Sequence, residues 1–104
     1  MPRNQEMKAV KKARLDEFDV RVLVTGLYQT RERYAGEDRD KVDDLILRLI
    51  DEHETMKPCR KRKILFQSGE SSLTAKSLVL WRNEVIEQKK PTEDIDRLLL
   101  MFVK

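Results

Sequence analysis

Few residues of this chain are of a type that could do chemistry. Nucleophilic catalysis needs a base beside a serine or cysteine and a third group to orient it. The single histidine, His53, instead lies near the C-terminal end of a helical pattern, on its apolar face, where partial burial or the helix dipole accounts for it. Cys59, the single cysteine, has no Cys or His partner at metal spacing and reads as an ordinary thiol beside Pro58. Asp38, Asp40, Asp43 and Asp44 invite a calcium reading, but a calcium loop needs Gly at its sixth position, and here that position is Asp43. Helix capping explains these carboxylates better. Three glycines leave little room for a phosphate-cradling loop. The expectation is a non-enzymatic protein with no catalytic residue, no metal and no cofactor.

What remains is charge. Residues 1–16 carry five basic and two acidic side chains, 17–56 six and eleven, 57–63 five and none, and 64–104 six of each. The net charge of +3 thus hides an acidic first half that runs into a block of Lys57, Arg60, Lys61, Arg62 and Lys63. That block could neutralise about five phosphates, which predicts a log–log salt slope of about −4.5 on duplex DNA. Sequence-reading helices present their N-terminal turns to a groove, yet the helical patterns starting near Asp40 and Glu93 begin with carboxylates that would repel phosphate. A nucleic-acid surface would therefore combine the basic block with Lys76 and Arg82 of the intervening helix. The competing reading is a solvated basic linker that offsets the acidic half.

The elements that must position these residues follow from apolar spacing. At 104 residues the chain has room for one core. Residues 1–14 are polar and basic without periodicity and are expected to form a flexible arm, followed by a single helical domain over 15–104. Between Phe18 and Val24 the pattern suits a strand by alternation and a helix by the sets Leu15, Phe18, Val22, Tyr28 or Val20, Leu23, Val24, Leu27, Tyr34. A strand would need a partner, and only Ile64-Leu65-Phe66 offers one, so a helix over about 16–34 is favoured, with Gly26 a tolerated weak point.

Val42, Leu45, Ile46, Leu49, Ile50 and His53 define a second helix, capped by Asp38 or Asp40 and ended before Pro58. A third spans about 72–89 with Leu73, Leu78, Trp81, Val85 and Ile86 inward, and Lys89-Lys90-Pro91 ends it. Thr92 caps a fourth with an Ile95, Leu98, Leu99, Phe102 stripe. The expected fold is mainly all-α: four helices as two hairpins joined by a basic hinge, with a short strand open at 18–24 or 64–66. No stretch reaches the roughly 20 apolar residues of a membrane span, and the N-terminus lacks a signal-peptide core, so a cytoplasmic location is expected.

The segments Lys57-Pro58-Cys59-Arg60-Lys61-Arg62-Lys63-Ile64-Leu65-Phe66, Leu78-Val79-Leu80-Trp81-Arg82-Asn83 and Ile95-Asp96-Arg97-Leu98-Leu99 resemble uncharacterised helical proteins carried on mobile elements of Gram-positive gut bacteria. Such proteins pair a Pro-plus-basic run with a Leu-x-x-x-Arg-Asn segment and a closing Ile-Asp-x-Leu-Leu. The resemblance implies accessory regulators, or inhibitors of host-defence or nucleic-acid-handling machinery. Two functional readings follow, with a third possibility for assembly. The first is a module that regulates or inhibits a larger protein partner, with Tyr28, Tyr34 or Trp81 as aromatic anchors. The second is a nucleic-acid-binding regulator acting through residues 57–63. The third is a homodimer through apolar helix faces.

Overall fold

The computed structural model describes residues 11–67 and 69–102. In chain order these form β1 (Lys11–Leu15), α1 (Glu17–Thr30), a 3₁₀ turn (Arg31–Arg33), α2 (Gly36–Thr55), β2 (Arg62–Phe66), α3 (Glu70–Glu87) and α4 (Glu93–Phe102). The fold is a small, mainly α domain of four helices with a two-stranded antiparallel sheet. Among the described residues no helix is long and apolar enough to cross a membrane.

Of the two places where a strand was open, 64–66 is one, extended back to Arg62, and 18–24 is helix. The partner for β2 lies upstream. Lys11–Arg14, expected as part of a flexible arm for want of apolar periodicity, and Leu15, expected to start the helical domain, instead form β1 and pair with it in the register Lys11 opposite Phe66, Ala13 opposite Ile64 and Leu15 opposite Arg62. The rest of the expected arm, residues 1–10, lies outside the described residues. Both strands alternate in the same sense: Ala13, Leu15, Ile64 and Phe66 are buried, while Lys12, Arg14, Lys63 and Leu65 face outward. Beneath the sheet Phe66 meets Phe102 edge to face, with ring centroids 5.0 Å apart.

Asp16 separates β1 from α1 and turns the chain by a capping box. Its carboxylate accepts from the Asp19 amide at 2.8 Å, and Asp19 Oδ2 accepts from the Asp16 amide at 3.2 Å. Of the two helical sets open for α1, the buried one is Val20, Leu23 and Leu27, continued by Tyr34 beyond the helix, while Phe18 and Tyr28 are exposed. Gly26 is a contact rather than a weak point. The Trp81 indole lies so close that a Cβ on Gly26 would stand 2.6 Å from its Cε3.

The α2 stripe Val42, Leu45, Ile46 and Leu49 is buried, but Ile50 is exposed and His53 half-buried, its Nε2 3.7 Å from Glu17 Oε2. Neither Asp38 nor Asp40 caps α2. The helix starts earlier, after Ala35, and places Asp38 in its first turn, where the dipole favours it. In α3 Leu73 and Leu78 are buried and Trp81 and Val85 half-buried, whereas Ile86 is exposed because the inward face continues through Thr74 and Ser77. The α4 stripe is as expected, with Ile95, Leu98 and Phe102 buried.

Polar ties lock the elements. Tyr34 Oη lies 2.7 Å from Ser77 Oγ and 3.3 Å from the Leu73 carbonyl, fixing the turn after α1 to α3. Buried Glu70 accepts from Arg48 of α2 at 2.5 Å and from the Gln67 amide at 2.7 Å. Fully buried Asp19 is met by Arg97 Nη2 at 2.7 Å, joining α1 to α4.

Candidate functional site

The expected basic hinge divides in two. Lys57–Lys61 form a loop, and Arg62 and Lys63 open β2. Within the loop the Arg60 amide donates to the Lys57 carbonyl at 3.2 Å, closing a turn with Pro58 and Cys59 at its centre. Pro58 supplies the fixed φ that suits the first central position. Cys59, at φ 63°, occupies a left-handed conformation normally left to glycine. The turn leaves Lys57, Arg60 and Lys61 exposed.

Among the described residues Arg62 is the one member of the basic block whose side chain bonds to another part of the chain. Its guanidinium donates to Glu52 Oε1 at 2.9 Å, Thr55 Oγ1 at 2.7 Å and the Thr55 carbonyl at 3.1 Å, which ties β2 to the end of α2. Lys76 lies over the Tyr34 ring, 5.4 Å from its centroid. Arg82 is bonded to Asp96 Oδ1 at 2.5 Å. This bond, with a second from Thr92 Oγ1, holds the Asp96 carboxyl below the usual carboxylate range. Among the described residues neither Lys76 nor Arg82 shares a cavity wall with the loop cations.

In their place the sheet brings up two cations of the segment expected as an arm. On the outer face Arg14 stands directly opposite Lys63, and Lys12 opposite Leu65. One depression of about 480 Å³ is lined by Lys12, Ala13, Arg14, Lys61 and Met101. A second, of about 210 Å³, is lined by Thr55–Lys57 and Arg60–Arg62. Lys61 borders both, so the strand face and the loop form one surface, and no carboxylate lines either depression.

The two depressions thus carry Lys12, Arg14, Lys57, Arg60 and Lys61, while Lys63, opposite Arg14, lines a third with Arg48 and Glu52, and among the described residues none of these six cations forms an ion pair. The arginines elsewhere are mostly engaged: Arg31 and Arg39 with Asp43, Arg33 with Glu84, Arg48 with Glu70, Arg62 with Glu52, Arg82 with Asp96 and Arg97 with Asp19. The signal available in the sequence was the alternation of Lys12-Ala13-Arg14-Leu15, followed at once by the Asp16 cap.

The aromatic candidates separate by burial. Tyr34 is a core residue, and burial pushes its phenol up, partly offset by Ser77. Tyr28 is 62% exposed, with the Arg31 guanidinium 5.7 Å from its ring centroid. Trp81 is half-buried and lines a cleft of about 530 Å³ with Val22, Thr25, Glu84, Val85 and Ile95 among α1, α3 and α4. Cys59 is exposed at the loop tip. Among the described residues no three His, Cys, Asp or Glu side chains converge as metal ligands would. Comparison with known proteins finds no matching protein family, curated protein or solved structure.

Proposed function

We propose that this protein is a small non-enzymatic regulator that binds nucleic acid through the basic sheet face and the 57–61 loop. The supporting observation is the pairing of β1 with β2, which adds Lys12 and Arg14 to the loop cations and leaves all six outside the internal ion pairs. Among the described residues no carboxylate pairs with these charges. A cluster of cations without counter-charges repels itself, and a polyanion is the ligand that relieves this while releasing its own counterions.

The test separates the face from the loop. Lys12→Gln with Arg14→Gln should weaken binding to a mixed-sequence DNA duplex and lower the salt slope by about 2, as should Arg60→Gln with Lys61→Gln. Arg62→Gln should leave the slope near its original value and destabilise the fold, because it removes the tie to Glu52 and Thr55. Unchanged binding by the Lys12 and Arg14 double variant would remove the sheet face from the site.

The first reading of the sequence, a module that regulates or inhibits a larger protein partner, is favoured by the cleft that Trp81 lines. A pull-down run with and without nuclease decides between the two. Partners that survive nuclease support a protein ligand, and partners lost with nuclease support the proposal above.

A further inference from the structure

Resting on that nucleic-acid reading, we infer that the face takes double-stranded nucleic acid by its phosphates alone, without sequence preference and in preference to single strands. Proteins that hold single strands combine a cationic groove with aromatic platforms on which bases stack, worth about 1–3 kcal/mol per base. None of this chain's six aromatic residues belongs to the outer face of the sheet or lines either depression. Phe66 and Phe102 lie beneath the sheet, Tyr34 is in the core, and Phe18, Tyr28 and Trp81 belong to α1 and α3. The face therefore has no aromatic platform for an unstacked base.

Its geometry also limits base reading. A two-stranded ribbon reads a major groove by entering it, as its size permits. Here the inner side of the ribbon is fixed to the core through Ala13, Leu15, Ile64 and Phe66, which are at most 6% exposed, so only its flat outer side is presented. Four of the six cations are lysines, point charges that suit a phosphate without imposing direction, whereas base discrimination relies on forked or amide side chains held at a base edge. Alternate residues on a strand lie about 6.6 Å apart and neighbouring strands about 4.8 Å apart. Lys12, Arg14 and Lys63 are held at these spacings by the sheet, and Lys57, Arg60 and Lys61 follow on the adjoining loop, so the cations are spread over a surface rather than lined along one groove.

The experiment measures binding of the intact chain to fluorescent 20-base-pair duplexes of A·T-rich, G·C-rich and mixed sequence, and to the matching single strands, from 50 to 200 mM salt. Expected are affinities within about threefold among the duplexes, single strands at least tenfold weaker, and a duplex salt slope near −5.4 for six contacts, at about 0.9 per contact. A single strand bound as tightly as its duplex, or a preference above tenfold among the duplexes, would overturn the inference while leaving nucleic-acid binding standing. Absence of binding to every probe at 50 mM salt, with the fold intact by circular dichroism, would remove the underlying reading as well.

Discussion

Arg14 of β1 and Lys63 of β2 stand opposite each other across the sheet as a like-charge pair on its outer surface, while Phe66, opposite Lys11, packs on Phe102 beneath it. Like charges placed opposite in an antiparallel pair cost about 0.2–1 kcal/mol. The strands nevertheless form, because their inner residues are sealed against the core and Asp16 caps α1 immediately after β1.

The close approach of α1 to α3 at Gly26 predicts that Gly26→Ala destabilises the protein. Alanine favours a helix over glycine by about 1 kcal/mol, but its Cβ would stand 2.6 Å from Trp81 Cε3. Overpacking of this kind costs about 1–3 kcal/mol. A net loss of about 1 kcal/mol in urea unfolding is expected, and Trp81→Leu in the same chain should recover part of it. A more stable Gly26→Ala protein would contradict the packing described.

Arg97 is the charged partner of a carboxylate that has no solvent exposure. The Asp19 carboxylate beside it raises the Arg97 guanidinium above its ordinary range. Leaving a buried charge alone costs about 3–5 kcal/mol. Arg97 is 44% exposed, so water can take over part of its role, and Arg97→Met should lose about 2 kcal/mol. Adding Asp19→Asn, which keeps an acceptor for the Asp16 amide, should reduce that loss. A double variant less stable than Arg97→Met alone would argue against the pair.

Helix α3 ends in a Schellman motif. The Lys90 amide donates to Val85 O at 3.1 Å and the Lys89 amide to Ile86 O at 2.9 Å, with Lys89 itself at φ 59°. Lysine is strained there and glycine is not. Lys89→Gly should raise the melting temperature, by a free energy of up to about 1 kcal/mol. A fall in melting temperature would show that the motif does not set the helix end.

Two carboxyls supply an acid limb to the stability curve. Asp43 is held below the usual range chiefly by its hydrogen bond from Arg31, and Asp96 by that from Arg82, then by Thr92. For a depressed carboxyl the contribution is full above the unfolded value, about pH 4, and is lost as pH falls through the folded value. The urea midpoint should therefore drop between pH 5 and pH 2.5. Arg82→Met should shrink that drop, and an identical drop in the variant would count against the Asp96 assignment.

The helices were legible because their cores repeat at 3.6 residues over several turns: Val42 to Leu49 and Ile95 to Phe102 are inward as expected. Of the two strands, only β2 was open, at 64–66, and β1 was not. Each has five residues, only two of them apolar and inward on β1, and their pairing joins positions about fifty apart that no local pattern links. The basic block was visible as composition, but its surface was not. Arg62 turned inward to Glu52 and Thr55, and Lys12 and Arg14 were added, because strand alternation decides which charges face out. Burial likewise divided Tyr34 from Tyr28, where side-chain type alone gave no distinction.

The Arg14–Lys63 pair permits one measurement of the central claim. Lys63→Glu replaces repulsion by attraction at the same register, so the variant should unfold at higher urea, by about 0.5 kcal/mol. The same variant should bind a DNA duplex at least tenfold more weakly at 50 mM salt, with a shallower salt slope. Greater stability together with lost binding is the predicted result. A variant that is less stable and binds the duplex as tightly as the parent would contradict the assignment of this face as the binding surface.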